Sequence, residues 1–299
     1  IDYTERVRRE QYTTDNHDVG FIIMCSFGKG VDNYNSVIIQ AARSLATRYN
    51  EKTGVIRSWS KHRKEWQYPV IIDNMMNLEL LMRAAKLTDN KAERKMFERI
   101  ATNHADNTVK NHFRTDYSSC HLVDYDTITG KVRGKYTVQG YADSSAWARG
   151  QAWALYGYTM MYRETGTKRY LQQAENIARF IIEHPHLPND KIPYWDFDAP
   201  DDSPRDASSA AIMASAFIEL SSLTKNKELA KNILQTAKTQ LLTLSSPEYF
   251  AEPGTNGNFI LKHSVGHFSE NSEVDVPLTY ADYYYVEAMI KYKQLVISN

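Results

Sequence analysis

Five aspartates head runs of small or apolar residues, and they are where chemistry is first sought: Asp18 (HDVGFIIM), Asp73 (DNMMNLELLMRAA), Asp143 (DSSAWARGQAWALYGY), Asp206 (DASSAAIMASAFIEL) and Asp282 (ADYYYVEAMIKY). An aspartate at a helix start accepts free backbone N–H groups and stabilises its helix by about 1 kcal/mol, so capping is the first reading of each taken alone. Two such carboxyl groups sharing a cavity can do more. Their like charges raise one of them, which then holds and donates a proton while the other stays ionised. The run after Asp143 adds a cation. Arg149 and Gln151 stand among Ala146, Trp147, Ala148, Gly150, Ala152, Trp153, Ala154 and Leu155, which leave almost no polar face. A helix that is apolar all round is buried all round. A guanidinium inside it needs a partner, either an internal carboxylate or an anionic ligand.

Further polar and aromatic residues cluster near these heads. His17 adjoins Asp18, Trp59 and Trp66 precede Asp73, and His121 and Gln139 lie in the segment leading to Asp143. A lone histidine is more often a core or surface residue than a ligand. Trp, Arg, Gln and paired Asp in one pocket would suit an acidic sugar. The other familiar signatures are absent: there is no zinc-ligand spacing, no phosphate-binding glycine loop, no GxSxG and no Cys/His motif. Cys25 and Cys120 cannot form a disulfide scaffold and read as small buried apolar residues.

The elements that must position these residues are helices. The stretches that follow four of the five heads are one-sided. In 167–184 the apolar set is Tyr170, Leu171, Ala174, Ile177, Ala178, Ile181 and Ile182; in 227–243 it is Leu229, Ile233, Leu234, Ala237 and Leu241. Segments 34–50 and 91–113 follow the same stripe. The turns FGKGVDN, LTDNKA, ETGTKR and LTKNKE are connectors between antiparallel helices. An all-apolar helix touches neighbours on every side, and a one-sided helix faces water. Their alternation predicts an all-α double ring of inner and outer helices in which the inner N-termini, with their aspartates, gather on one face. Strand signals are weak and are read as hairpin excursions near 54–60, 121–138 and 257–263. No linker suggests a boundary, so 1–299 is expected to form one domain.

Composition narrows the function classes. The chain of 299 residues carries 36 basic and 36 acidic side chains, so it lacks the basic excess of a nucleic-acid surface. No apolar run approaches the ~18 residues of a membrane span.

The blocks HDVGF, IIDNMMNLELL, QGYADSSAWARGQAWALYGY, PYWDFDAP…RDASSAAI and ADYYYVEA, in this order, resemble the unsaturated glucuronyl hydrolases, glycoside hydrolase family 88. RGQAW and HDVGF together are specific; DASSA alone is shared with the related unsaturated rhamnogalacturonyl hydrolases. The resemblance implies an (α/α)6 barrel. It implies hydrolysis of lyase-generated, glycosaminoglycan-type oligosaccharides that carry a 4,5-unsaturated uronic acid at the non-reducing end, with no metal and no organic cofactor. Asp73 falls at the family's general acid/base and Asp18 at its second carboxylate. His17, Trp59, His121, Gln139, Arg149 and Trp153 fall on sugar-lining positions, and Ser264 and His267, in HSVGHFS, where relatives contact the second sugar or its sulfate. Family members have a further helix pair ahead of HDVGF, so the barrel is expected to lack its first pair. The source implied is bacterial, cytoplasmic or periplasmic. Two readings of another class are a sugar epimerase, which would want facing histidines, and a carbohydrate-binding scaffold, which would not need the Asp18/Asp73 pair.

Overall fold

The computed structural model describes residues 2–28, 34–60 and 65–297. Most of the turn FGKGVDN lies outside them. The chain divides into two compact units, Ile1–Phe113 with Leu122–Tyr136, and Arg114–His121 with Thr137–Asn299.

The first unit opens with α1 (Asp2–Arg6) and a 3-10 turn, Arg8–Tyr12. Two helical hairpins follow, α2 (Val19–Phe27) with α3 (Asn35–Ala46), and α4 (Leu78–Leu87) with α5 (Lys91–His112). Helix α2 buries Val19, Gly20, Ile23, Met24 and Phe27, and α4 buries six of its residues, whereas α5 buries one face, including Phe97, Ile100, Ala101 and His104. Between the hairpins lie β1 (Tyr49–Asn50), β2 (Val55–Ile56) and β3 (Pro69–Ile71). Strands β4 (Leu122–Tyr125) and β5 (Val132–Tyr136) extend β3 into a three-stranded antiparallel sheet of order β3-β4-β5. Val55, Tyr68, Val70, Val123 and Tyr125 form the small core beneath it.

The second unit is built on α6 (Ala148–Thr165), α7 (Lys168–Glu183), α8 (Ala207–Leu223), α9 (Lys227–Leu244) and α10 (Thr279–Ile297). Helix α8 packs between α6 and α10, and α7 and α9 pack outside them. Every residue of α6 from Ala148 to Met161 is buried, as the absence of a polar face requires, whereas α7 buries the stripe Tyr170, Ala174, Ile177, Ala178 and Ile181. The three inner helices run parallel. At their heads Arg149 reaches Asp206 and lies over Tyr280; at their tails Glu219 binds both Arg163 and Lys291. A hairpin, β6 (Ser264–His267) and β7 (Ser272–Val276), precedes α10.

The alternation and the outer helices match expectation within a few residues. Two local readings are corrected. First, Asp143 does not start a helix: α6 begins at Ala148, after Trp147. Polar groups of the DSS run are drawn away by tertiary partners, Asp143 accepting the Thr137 N–H at 2.7 Å and Ser145 donating to Asp196 at 2.7 Å. Second, 257–263 is not a hairpin strand; the hairpin starts at Ser264. Gly257, Asn258 and His263 have φ of 62°, 67° and 60°, which breaks extension, and the Ile260 and Leu261 N–H groups go to the Asp282 carboxylate. Among the described residues no helix is long and apolar enough to cross a membrane.

Candidate active site

The five aspartates separate by role. Only Asp206 caps its helix through the carboxylate, accepting the Ser208 N–H at 3.0 Å. Asp282 lies inside the first turn of α10 and serves the Ile260 and Leu261 amides; burial raises its pKa. Asp18 heads α2 without a side-chain cap, with its side chain 57% exposed. Asp73 lies in a 3-10 turn, Ile72–Asn77, where β3 runs out ahead of α4. It is half-buried, with Oδ2 fully covered.

In the first unit three segments weave four of the expected site residues into one neighbourhood. His17 N–H donates to the Ser58 carbonyl at 2.9 Å, and Asn16 bridges to Trp59. Ser58 N–H donates to the Pro69 carbonyl at 2.9 Å, and its hydroxyl accepts the Ile71 N–H at 2.9 Å. The segment carrying Ser58 and Trp59 thus lies between the turn of His17 and Asp18 and the strand that delivers Asp73. Trp59 stands edge-on to Trp66, ring centres 6.0 Å apart, and its buried Nε1–H has no hydrogen-bond partner among the described residues.

His17 is buried, with Nε2 3.3 Å from Asp18 Oδ1. Burial pushes its pKa below the ordinary value; the Asp18 charge and the neighbouring Asn74 amide oppose this. Asn74 in turn donates to the Ile56 carbonyl at 2.7 Å. The two aspartate turns are joined by Asn77, whose Oδ1 accepts the Phe21 N–H at 3.1 Å.

In the second unit His121 Nδ1 accepts the N–H groups of Val138 and Gln139 at 3.0 and 3.2 Å, and its ring packs on Trp147 at 4.7 Å. Accepting two N–H groups makes Nδ1 the unprotonated nitrogen of a neutral ring. Gln139 donates to the Gly266 carbonyl at 3.0 Å, and His267 Nε2 lies 2.9 Å from the Val138 carbonyl. His121, Gln139 and His267 are thus brought together around Val138 and the β6 strand.

Arg149, only 3% exposed, finds its partners inside the protein. It pairs with Asp206 Oδ2 at 3.4 Å, bonds the Val265 carbonyl, donates to the Gly266 carbonyl at 2.5 Å and lies 4.4 Å over the Trp147 ring. Of the two partners that a buried guanidinium allows, the structure displays the internal carboxylate. Trp153 is also buried, edge-on to Tyr280 and Tyr284 at 6.1 and 5.4 Å. Ser264 is fully buried, its hydroxyl without a partner among the described residues.

Sequence reading passed over Gly20, Asn74 and Asn77, which join the Asp18 and Asp73 turns, and Asp196. Asp196 is fully buried and accepts from Tyr141 N–H at 2.9 Å, Ser145 Oγ at 2.7 Å and Asp198 N–H at 2.9 Å. Burial raises its pKa against those hydrogen bonds.

Comparison with known proteins sets this arrangement in a family. No protein-family model matches the chain. An unsaturated glucuronyl hydrolase of Formosa agariphila is 46% identical over 99% of this chain and 74% of its own length. The chain belongs to the unsaturated glucuronyl hydrolase family. An unsaturated chondroitin disaccharide hydrolase of Streptococcus pneumoniae is 30% identical over 98% of this chain and 74% of its own. A crystal structure of an unsaturated glucuronyl hydrolase specific for heparin aligns with a TM-score of 0.93 and 48% identity, covering 99% of this chain and 79% of that one. The enzyme from Bacillus sp. GL1 aligns at 0.88 with 29% identity, covering 98% and 78%. The expected fold class holds: the chain is mostly helical, 57%, and its structural neighbours are α/α-barrel enzymes. The protein is a glycoside hydrolase of the unsaturated glucuronyl hydrolase type.

Proposed function

We propose that this hydrolase removes a 4,5-unsaturated uronic acid from glycosaminoglycan disaccharides of the heparin type, by hydrating the double bond, with Asp73 as acid and base. The observation that carries the reading is the tie between the two aspartate turns in the first unit, the Phe21 N–H donating to Asn77 Oδ1 at 3.1 Å, in a chain 48% identical to a heparin-specific relative. The substrate is a vinyl ether. A proton added at C4 leaves positive charge at C5, shared with the ring oxygen. Water adds at C5, giving up its proton, and the hemiketal opens and rearranges with release of the second sugar. One carboxyl group serves twice, giving the C4 proton and then taking one from water. The transferable proton is assigned to Asp73, whose Oδ2 is fully covered. Asp18, exposed at the head of α2, is assigned to the sugar hydroxyls. Attack is not at the anomeric carbon, so the separation rule for retaining and inverting glycosidases does not apply.

For the second unit the sugar-lining roles rest on the family resemblance. Gln139, His121 and His267 retain half-buried or aromatic-backed positions compatible with it. Arg149 is proposed to receive the substrate carboxylate, while Asp206 and the β6 carbonyls hold its guanidinium. The closely related rhamnogalacturonyl reading differs only in the sugar next to the double bond. The test is a panel of lyase-made disaccharides from heparin, chondroitin and hyaluronan, with a rhamnogalacturonan fragment, followed by loss of the unsaturated-uronate absorbance. Fastest loss with the heparin disaccharide is expected. Preference for the rhamnogalacturonan fragment would transfer the protein to the related activity, and binding without loss of the double bond would leave a sugar-binding scaffold.

A further inference from the structure

We infer that Gly20 and Asn77 form a spacer that fixes the distance between the Asp18 turn and the Asp73 turn, and that Asn77 is a positioning residue for the reaction. The inference rests on the acid–base reading of Asp73. Gly20 stands two residues after Asp18, in the first turn of α2, and Asn77 four residues after Asp73, at the end of its 3-10 turn. A Cβ on Gly20 would lie 2.1 Å from Asn77 Oδ1 and 2.7 Å from both Asn77 Cβ and Cα. Because one of those atoms is backbone, no side-chain rotation relieves the overlap. The two turns approach as closely as they do because residue 20 has no side chain.

The approach is also tied. Asn77 Oδ1 accepts the Phe21 N–H at 3.1 Å, one of the α2 amides that lack a partner within the helix. Asn77 Nδ2 lies 3.4 Å from Asn74 Oδ1, and Asn74 holds the Ile56 carbonyl at 2.7 Å. Both asparagines are fully buried. One asparagine thus bonds the helix headed by Asp18 and, through Asn74, the residue next to Asp73. Neither Gly20 nor Asn77 is assigned to substrate, so they act by setting where the carboxyl groups stand. A displacement of about 1 Å at a reacting group can cost about 10²-fold in rate.

The experiment compares Gly20→Ala, which adds bulk against Asn77 and pushes the turns apart, and Asn77→Ala, which cuts the tie without adding bulk. The disaccharide turned over fastest in the substrate panel is the probe. The concentration of folded enzyme is fixed by circular dichroism and an unfolding curve. Both variants are expected to lose 10- to 100-fold in kcat per folded molecule with a smaller change in KM, because only His17 and Asp18 of the residues assigned to the sugar lie on the displaced turn. Should Asn77→Ala not fold, Asn77→Ser, which keeps a small polar group, is read in the same way. A kcat per folded molecule equal to that of the parent protein in both variants overturns the spacer. So does a loss of activity that only tracks the loss of folded protein. Asp73→Asn run alongside separates the two levels: if it turns over normally, the acid–base reading itself has failed. If it is silent while the spacer variants are normal, only the spacer has failed.

Discussion

Replacing Asp206 by Asn tests how the second unit holds a buried cation. Asp206 is fully buried and accepts five donors: Ser208 N–H at 3.0 Å, Ser208 Oγ at 2.6 Å and Val265 N–H at 3.2 Å on Oδ1, and Ser209 Oγ at 2.5 Å and Arg149 at 3.4 Å on Oδ2. The amide keeps one carbonyl oxygen, so the Ser208 cap survives, since Asn caps about as well as Asp. Ser209 can turn its hydroxyl to accept from the new amide. Arg149 cannot adapt, because it has donors only and would face the amide N–H. The cost is therefore that of a buried cation stripped of its counter-charge, about 3–5 kcal/mol for a fully broken pair. The carbonyls of Val265 and Gly266 still hold the guanidinium. That places Asp206→Asn at the lower end, about 3 kcal/mol. Urea unfolding of the single variant, of Arg149→Met and of the double variant measures it. Paired groups give a double variant more stable than the sum of the single losses by roughly 1–3 kcal/mol. Losses that add within about 0.5 kcal/mol would refute the pairing.

Other consequences follow from single buried groups. His104 is fully buried, accepts the Ile56 N–H through Nδ1 at 3.0 Å, and has its pKa pushed down to about 3 by burial, with His112 and His17 acting in the same direction. The unfolded chain then binds the extra proton between pH 3 and an unfolded value near 6.5, so stability should fall on acidification through that window, by up to about 1.4 kcal/mol per pH unit. It should be level in this respect above 6.5. His104→Gln, which retains an acceptor, should flatten the slope in urea titrations at pH 7, 5.5 and 4.5; an unchanged slope would clear His104. Lys291 is shared by Glu219 and Glu287 at 2.8 and 3.2 Å, both mostly buried, so Lys291→Met should cost about 3 kcal/mol by the same unfolding assay. Asn226 accepts the Leu229 N–H at 3.0 Å at the head of α9, and Asn226→Ala should cost about 1 kcal/mol, with no change in turnover.

Helices with a periodic signal were legible in the sequence. The stripe in 227–243 became Lys227–Leu244, and the all-apolar run around Trp153 became the buried α6. Helix starts were less legible, because the polar residues that signal a cap also serve tertiary partners. Asp143, Ser145 and Asp282 are drawn to Thr137, Asp196 and the Ile260–Leu261 amides, and none of these partners is adjacent in sequence. Asp18 and Asp73 stood out by their place before helical runs. The buried Asn74 and Asn77, on either side of Met75 and Met76, did not, since a polar residue in an apolar run reads as a defect until its distant partner is known. Arg149 showed the limit from the other side. Its burial followed from its neighbours, but the choice between ligand and internal carboxylate depended on Asp206, which approaches only in the folded chain.

The most direct measurement of the central claim is the absorbance of the unsaturated uronate in a single-turnover mixture with Asp73→Asn, beside a binding titration of the same variant. Asn is close to Asp in size, and the Ile72–Asn77 turn does not use residue 73 as a side-chain cap, so the fold should persist. The amide can neither give the C4 proton nor take one from water. Acid–base catalysis by one group contributes roughly 10²–10⁴-fold, and the same group is assigned to both steps. The account predicts a variant that is folded, binds the disaccharide with an affinity near that of the parent protein, and leaves its double bond intact. A variant that binds and consumes the double bond at a near-normal rate would contradict it and remove Asp73 from the chemistry.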